Sequence, residues 1–203
     1  MKPNIHIRAA RPGDCRALAE LALIAGEGIP AFFWASSRLP GQAVEEVGAA
    51  NLLSETENFS YRNIQVAEVG DDVAGMLLAY RLPESGPVED LSDLPDFIRP
   101  MIELEARVPG SYYINMLACF PRYQGQGIGT ALMSIVDGQA RREGCGLASI
   151  MVFSENRGAL RLYQRLGYTV VDRRAVVPHA CHPYTAGEVL LLTRPVGQAG
   201  SGG

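Results

Sequence analysis

Gln124-Gly125-Gln126-Gly127-Ile128-Gly129-Thr130 follows the apolar run Tyr112 to Phe120 and opens a segment where Ile128, Ala131, Leu132, Ile135 and Val136 recur at helical spacing. The run reads as a buried strand and the repeat as a helix from Gly127 to Arg142, so the glycines occupy the turn between them. Unpaired N–H groups at a helix start point outward and carry partial positive charge. A turn lacking side chains lets a diphosphate settle against them. Such a grip needs no lysine, and Lys2 is the only lysine in the chain. Schiff-base and P-loop lysine chemistry are thereby removed.

Two other nucleotide motifs fail on spacing. A Walker loop ends in Gly-Lys-Ser/Thr, whereas Gly129 is followed by Thr130. The dinucleotide fingerprint places a glycine three residues after its second one, where this chain has Thr130, and no acidic residue stands at the expected later strand end.

Upstream, Ile5 and Ile7 alternate with His6 and Arg8 as in a half-buried strand over Asn4 to Ala10. Pro12-Gly13-Asp14 then signals a helix start with Asp14 as N-cap, followed by the stripe Leu18, Leu21, Ala22 and Ala25. Residues 26–60 show no single period, with a helix expected from Gln42 to Leu53. Ile64–Val69 and Val73–Arg81 form a predicted hairpin about Gly70-Asp71-Asp72. Residues 83–110, rich in Pro, Asp and Glu, read as an insertion with a short helix within Phe97 to Ala106. Downstream come a strand over Leu147–Phe153, a helix from Asn156 to Leu166 ended by Gly167, and strands over Tyr168–Val177 and Glu188–Thr193. One domain over residues 1–196 is expected, with 197–203 as a glycine-rich tail.

At this point the chain resembles the GNAT superfamily of N-acetyltransferases. Gln124, Gly127 and Gly129 match its Gln/Arg-x-x-Gly-x-Gly/Ala motif, and Leu117-Ala118-Cys119-Phe120-Pro121 looks like its fourth strand and exit. A second block, Asn156, Ala159, Leu162, Tyr163, Gly167 and Tyr168, is similar to the family's Asn-x-x-Ala-x-x-Leu-Tyr-x-x-x-Gly-Phe/Tyr pattern. The resemblance implies an α/β (α+β) fold: a twisted, mixed, mostly antiparallel sheet of about seven strands, flanked by helices, with the fourth and fifth strands splayed. It further implies acetyl-CoA as co-substrate, no metal, and attack by a primary amine in a ternary complex.

Acetyl transfer needs a neutral amine, a positioned thioester, donors for the oxyanion and an acid for the departing thiolate. In the family pattern the pantetheine arm pairs with backbone near Leu117, Ala118 and Cys119, and the N–H of Leu117 polarises the carbonyl. The diphosphate falls to Gln124, Gly125, Gln126, Gly127, Ile128, Gly129 and Thr130, and Asn156 and Ala159 meet the arm. Tyr163 takes the general-acid position, although Leu160, Leu162 and Leu166 around it equally suit a core tyrosine. Many relatives carry a glutamate on the fourth strand, where this chain has Ser111, Tyr113 and Asn115. The base is therefore water held by Asn115 or Tyr113, or a residue such as Glu27 or Glu45. Phe32, Phe33 and Trp34 either line an acceptor pocket with Glu27 and Tyr113 or pack on the sheet. His179, Cys181 and His182 have metal-ligand chemistry, but no second cluster completes a tetrahedral site.

The bulk properties bound the partners. A formal charge of −4 and pI near 5.4 argue against a nucleic-acid binder. No stretch approaches the roughly 18 apolar residues of a membrane span, and no signal core is visible, so a cytoplasmic location is expected. Cys15, Cys119, Cys145 and Cys181 are scattered, as suits reduced thiols. The acceptor is a small-molecule amine or a peptide N-terminus, and the apolar run Val189 to Leu192 allows a homodimer. The missing glutamate motivates an alternative, a catalytically weak acyl-CoA-binding sensor.

Overall fold

Ile5 and Ile7 are half-buried and His6 is exposed on the first strand, β1 (Ile5–Ala9), as alternation predicts. The computed structural model describes residues 3–84 and 94–197 of the chain. Its other strands are β2 (Ile64–Val69), β3 (Asp72–Arg81), β4 (Tyr112–Cys119), β5 (Leu147–Phe153), β6 (Thr169–Ala175) and β7 (Glu188–Pro195). They form a seven-stranded mixed sheet in the order β1-β2-β3-β4-β5-β7-β6. The β1–β2, β2–β3, β5–β7 and β6–β7 pairs are antiparallel, and β4–β5 is parallel. The helices are α1 (Cys15–Ala25), α2 (Ile29–Ser36), α3 (Val44–Leu52), α4 (Arg99–Glu105), α5 (Ile128–Ser134), α6 (Val136–Arg142) and α7 (Arg157–Arg165).

The chain divides into two compact units. The first comprises Met1–Tyr80, Asn115–Ser134 and Ala180–Pro183. Its core is built by Leu18, Leu21 and Ala22 of α1, Leu52 of α3, Ile64 and Val66 of β2, and Met76 and Leu78 of β3, all without solvent exposure. Each such large aliphatic side chain contributes about 1.5–3 kcal/mol on burial. The second unit comprises Arg81–Ile114, Ile135–His179 and Tyr184–Gly203. There α6 and α7 pack on β5, and α4 packs on β6 and β7, over a core that includes Val136, Ala148, Leu191 and Leu192.

Three expectations are corrected. Asp14 does not cap α1 with its side chain; its carboxylate accepts from the Arg8 guanidinium at 2.7 Å and the Arg11 N–H at 2.7 Å. A charged donor outcompetes the neutral amides of the helix start. The helix expected from Gly127 to Arg142 is two, interrupted at Ile135. The Ser134 hydroxyl donates to the Ala131 carbonyl at 2.7 Å, a back-bond that bends helices. Within 26–60, α2 forms where no period announces it, because Ile29-Pro30-Ala31-Phe32-Phe33-Trp34 is apolar on every side. In the 83–110 segment the expected helix is α4; residues 85–93 lie outside the described residues, as does the expected tail beyond Gly197.

Candidate active site

The parallel pairing of β4 with β5 consists of Tyr112 with Ala148, Tyr113 with Ser149, and Ile114 with Ile150, and then ceases. Among the described residues, Asn115 to Cys119 have no register partner in β5, although both strands continue. Such a half-paired strand offers backbone N–H and C=O groups to a ligand that runs alongside it like a strand. Asn115, Met116 and Leu117 are half-buried, Ala118 is buried and Cys119 is half-buried, with burial pushing its thiol pKa up.

In the first unit the β4 exit is held from three directions. The Phe120 N–H donates to the Ala74 carbonyl at 3.0 Å, and the Tyr123 hydroxyl donates to Asp72 at 2.7 Å. Gly75 on β3 lets the exit close. A Cβ there would lie 2.6 Å from the Ala118 carbonyl oxygen and 2.7 Å from the Ile128 side chain. Sequence reasoning passed over Gly75, although a lone glycine inside an apolar strand signals close backbone approach.

Next comes the glycine turn, where φ is +73° at Gly125 and +94° at Gly127, conformations that side chains disfavour. An added Cβ at either would meet nothing within 4 Å, so both glycines face open space. The Gln126 side-chain amide donates to the Arg122 carbonyl at 2.8 Å and braces the turn. The first helical bond of α5 runs from the Ala131 N–H to the Gly127 carbonyl at 2.9 Å, so the amides of Ile128, Gly129 and Thr130 precede the helical ladder. Gln124 and Thr130 are exposed, and Ile128 anchors α5 in the core. Arg122 is the only cation between Val108 and Ala140. Its guanidinium sits 4.9 Å from the centroids of both the Phe120 and Tyr123 rings. An open, glycine-lined turn with a neighbouring cation fits a diphosphate.

The acceptor-side expectations resolve unevenly. The Asn115 amide donates to the Tyr80 hydroxyl at 3.2 Å, a pairing the sequence analysis missed because Tyr80 lies on another strand. Tyr113 is buried in the second unit. Trp34 is buried against Phe59, at 6.0 Å between centroids, and a Cβ at Gly48 would lie 2.4 Å from its ring; it is a packing residue. Phe32 and Phe33 remain more than a third exposed. Glu45 is half-buried in the first turn of α3. Glu27 occupies the turn between α1 and α2.

In the second unit, Asn156, Ala159 and Tyr163 all belong to the start and body of α7. The Asn156 side chain caps the helix, accepting from the Ala159 N–H at 3.2 Å. Tyr163 is 5% exposed, with its ring edge-on to Tyr168 at 6.3 Å. Gly167, at φ +85°, ends the helix. His179 stacks on Phe97 at 4.2 Å, and no group of three or more potential metal ligands occurs among the described residues.

The half-paired β4, the glycine turn at its exit and the capped α7 define an acyltransferase of the acetyltransferase class. The chain belongs to the Acetyltransferase (GNAT) family, whose profile matches residues 32–168. It is 31% identical over 122 residues to the acetyltransferase Atu2258 of Agrobacterium fabrum (strain C58 / ATCC 33970), covering 56% of this chain and 85% of that protein. Its fold matches the polyamine N-acetyltransferase of Drosophila melanogaster, an enzyme that forms N-acetylagmatine, with a TM-score of 0.64, 18% identity, and coverage of 95% and 100% of the two chains. It also matches yncA of Salmonella typhimurium, solved with its cofactor acetyl-CoA, with a TM-score of 0.59, 18% identity and 98% coverage of both.

Proposed function

We propose that the chain transfers an acetyl group from acetyl-CoA to a primary amine by direct attack in a ternary complex. The observation that carries this is the halt of β4–β5 pairing at Ile114, immediately upstream of an open glycine turn. Acetyl-CoA supplies an activated thioester. The backbone of Leu117 to Cys119 orients it, and the Leu117 N–H stabilises charge on the carbonyl oxygen. The amides from Gly125 to Thr130, with Gln124, hold the diphosphate.

The amine lone pair forms the new C–N bond as the C–S bond breaks. Tyr163 gives its phenolic proton to the departing thiolate, and the amine's proton leaves through water held by the Asn115–Tyr80 pair. No carboxylate stands on β4, so the base is carried by water rather than by that strand. The four free cysteines support the cytoplasmic placement, and no helix among the described residues is long and apolar enough to cross a membrane.

The test is to offer the protein acetyl-CoA and a panel of primary amines and follow release of coenzyme A thiol. Amine-dependent release supports the proposal; saturable coenzyme A binding without release would leave a binding module.

A further inference from the structure

Gly26 to Ile29 forms a two-residue turn, closed by the Ile29 N–H donating to the Gly26 carbonyl at 2.9 Å, with φ of 51° at Glu27 and 96° at Gly28. Positive φ at both central positions marks a type I′ turn, where Asn, Asp or Gly belongs at the first. Glu27 is the only non-glycine residue with positive φ among the described residues. The turn is also locked on both flanks. A Cβ at Gly26 would lie 2.3 Å from the Pro30 ring, and one at Gly28 would lie 1.7 Å from the Cys181 carbonyl oxygen.

A glutamate is thus held in a conformation its side chain disfavours, with Oε2 out of contact with solvent. Strain of this kind persists where the surroundings over-determine it, and it concentrates at ligand sites. Two exposed aromatic residues follow on the same helix start. The Phe32 N–H donates to the Gly28 carbonyl at 3.0 Å, and the rings of Phe32 and Phe33 meet edge-to-face at 5.4 Å. A carboxylate beside exposed aromatic rings is the chemistry that recognises an organic cation.

We infer that Glu27 selects acceptors bearing a second positive charge, its carboxylate taking the distal ammonium or guanidinium while the other amine is acetylated. This rests on the acetyl-transfer reading. Local turn chemistry and ligand recognition then pull in opposite directions at position 27, which gives the inference its signature.

The experiment compares 1,5-diaminopentane with pentylamine as acceptors for the wild type, Glu27→Asn and Glu27→Asp, and records thermal melts of all three. The expected result is a preference of the wild type for the diamine, about tenfold or more of which is lost in Glu27→Asn. Glu27→Asp retains part of it. The melting temperature of Glu27→Asn stays level or rises by about 2–4 °C, because asparagine suits the turn. An unchanged diamine-to-monoamine ratio in Glu27→Asn would overturn the inference and leave acetyl transfer standing. A lowered melting temperature in Glu27→Asn would assign the carboxylate a structural role instead. If the wild type releases no thiol with any amine, the underlying reading fails, and this one with it.

Discussion

The hydroxyl of Ser111 lies 2.6 Å from that of Ser149, and both side chains are fully buried. Ser149 pairs with Tyr113, one step before the parallel ladder stops at Ile114. One hydroxyl donates and the other accepts, so each satisfies its neighbour where water does not reach. The pair acts as a clasp at the closed end of the β4–β5 divergence.

Ser149→Ala leaves the Ser111 hydroxyl buried without that partner, at a cost of about 1–3 kcal/mol. For a chain of this size that is a fall in melting temperature of about 2–4 °C per kcal/mol. The double variant with Ser111→Ala recovers much of the loss, since two apolar groups demand no hydrogen bond. Calorimetric melts of the single and double variants decide it. A Ser149→Ala protein that melts with the wild type would remove the clasp.

Gly75→Ala places a methyl group where the Ala118 carbonyl and Ile128 side chain already stand. The clash displaces the β4 exit and α5 together, so affinity for coenzyme A falls by about tenfold or more, for a loss of about 1.4 kcal/mol or more. Gly138→Ala is the control, because that position on α6 has open space and a helical conformation that alanine favours. Titration calorimetry of both variants with coenzyme A checks this, and equal affinities would show that the close approach at Gly75 does not shape the site.

The parts legible in the sequence were those that local chemistry dictates. Alternation placed β1, the Gly70-Asp71 turn placed β2 and β3, and Asn156 with Gly167 bracketed α7. Asp14 misled because its partner Arg8 belongs to a different element, and a side chain's best partner is set by tertiary approach. Trp34 could not be told from Phe32 and Phe33 by period, since all three are apolar; the packing of Gly48 and Phe59 decided which was buried. Tyr80 and Gly75 joined the site only when β3 was laid beside β4. The turn at Glu27 went unread because glutamate carries no left-handed preference.

Tyr163→Phe removes one hydroxyl from a residue whose ring remains packed against Tyr168. If that hydroxyl protonates the departing thiolate, the rate of thiol release falls by about 10²–10⁴-fold while coenzyme A affinity is retained. The loss is greatest with thioesters whose thiolate is most basic, because a poorer leaving group depends more on the acid. Release assays with acetyl-CoA and with a more acidic thioester measure this directly. Wild-type rates in Tyr163→Phe would return the residue to the core.

Arg8 on β1 bridges two acids, with Nε 2.6 Å from Glu68 and its other nitrogens 2.7 and 3.0 Å from Asp14. The Arg8 hydrogen bond, ahead of the opposing effect of burial, holds the Asp14 carboxyl below its ordinary pKa. The folded protein therefore binds the proton less readily than the unfolded chain, whose aspartate titrates near about 3.9. It follows that the stabilisation is fully present above that value and is lost as pH falls through the lower folded one. Asp14→Asn destabilises by about 1.5–3 kcal/mol at neutral pH, because a charged hydrogen bond at a mostly buried site is lost. Below about pH 3 the deficit shrinks, since the wild-type carboxyl is then protonated too. Melting temperatures of both proteins between pH 3 and 7 test the sign: curves that converge in acid support the linkage, and curves that stay parallel mean that Asp14 does not titrate with folding.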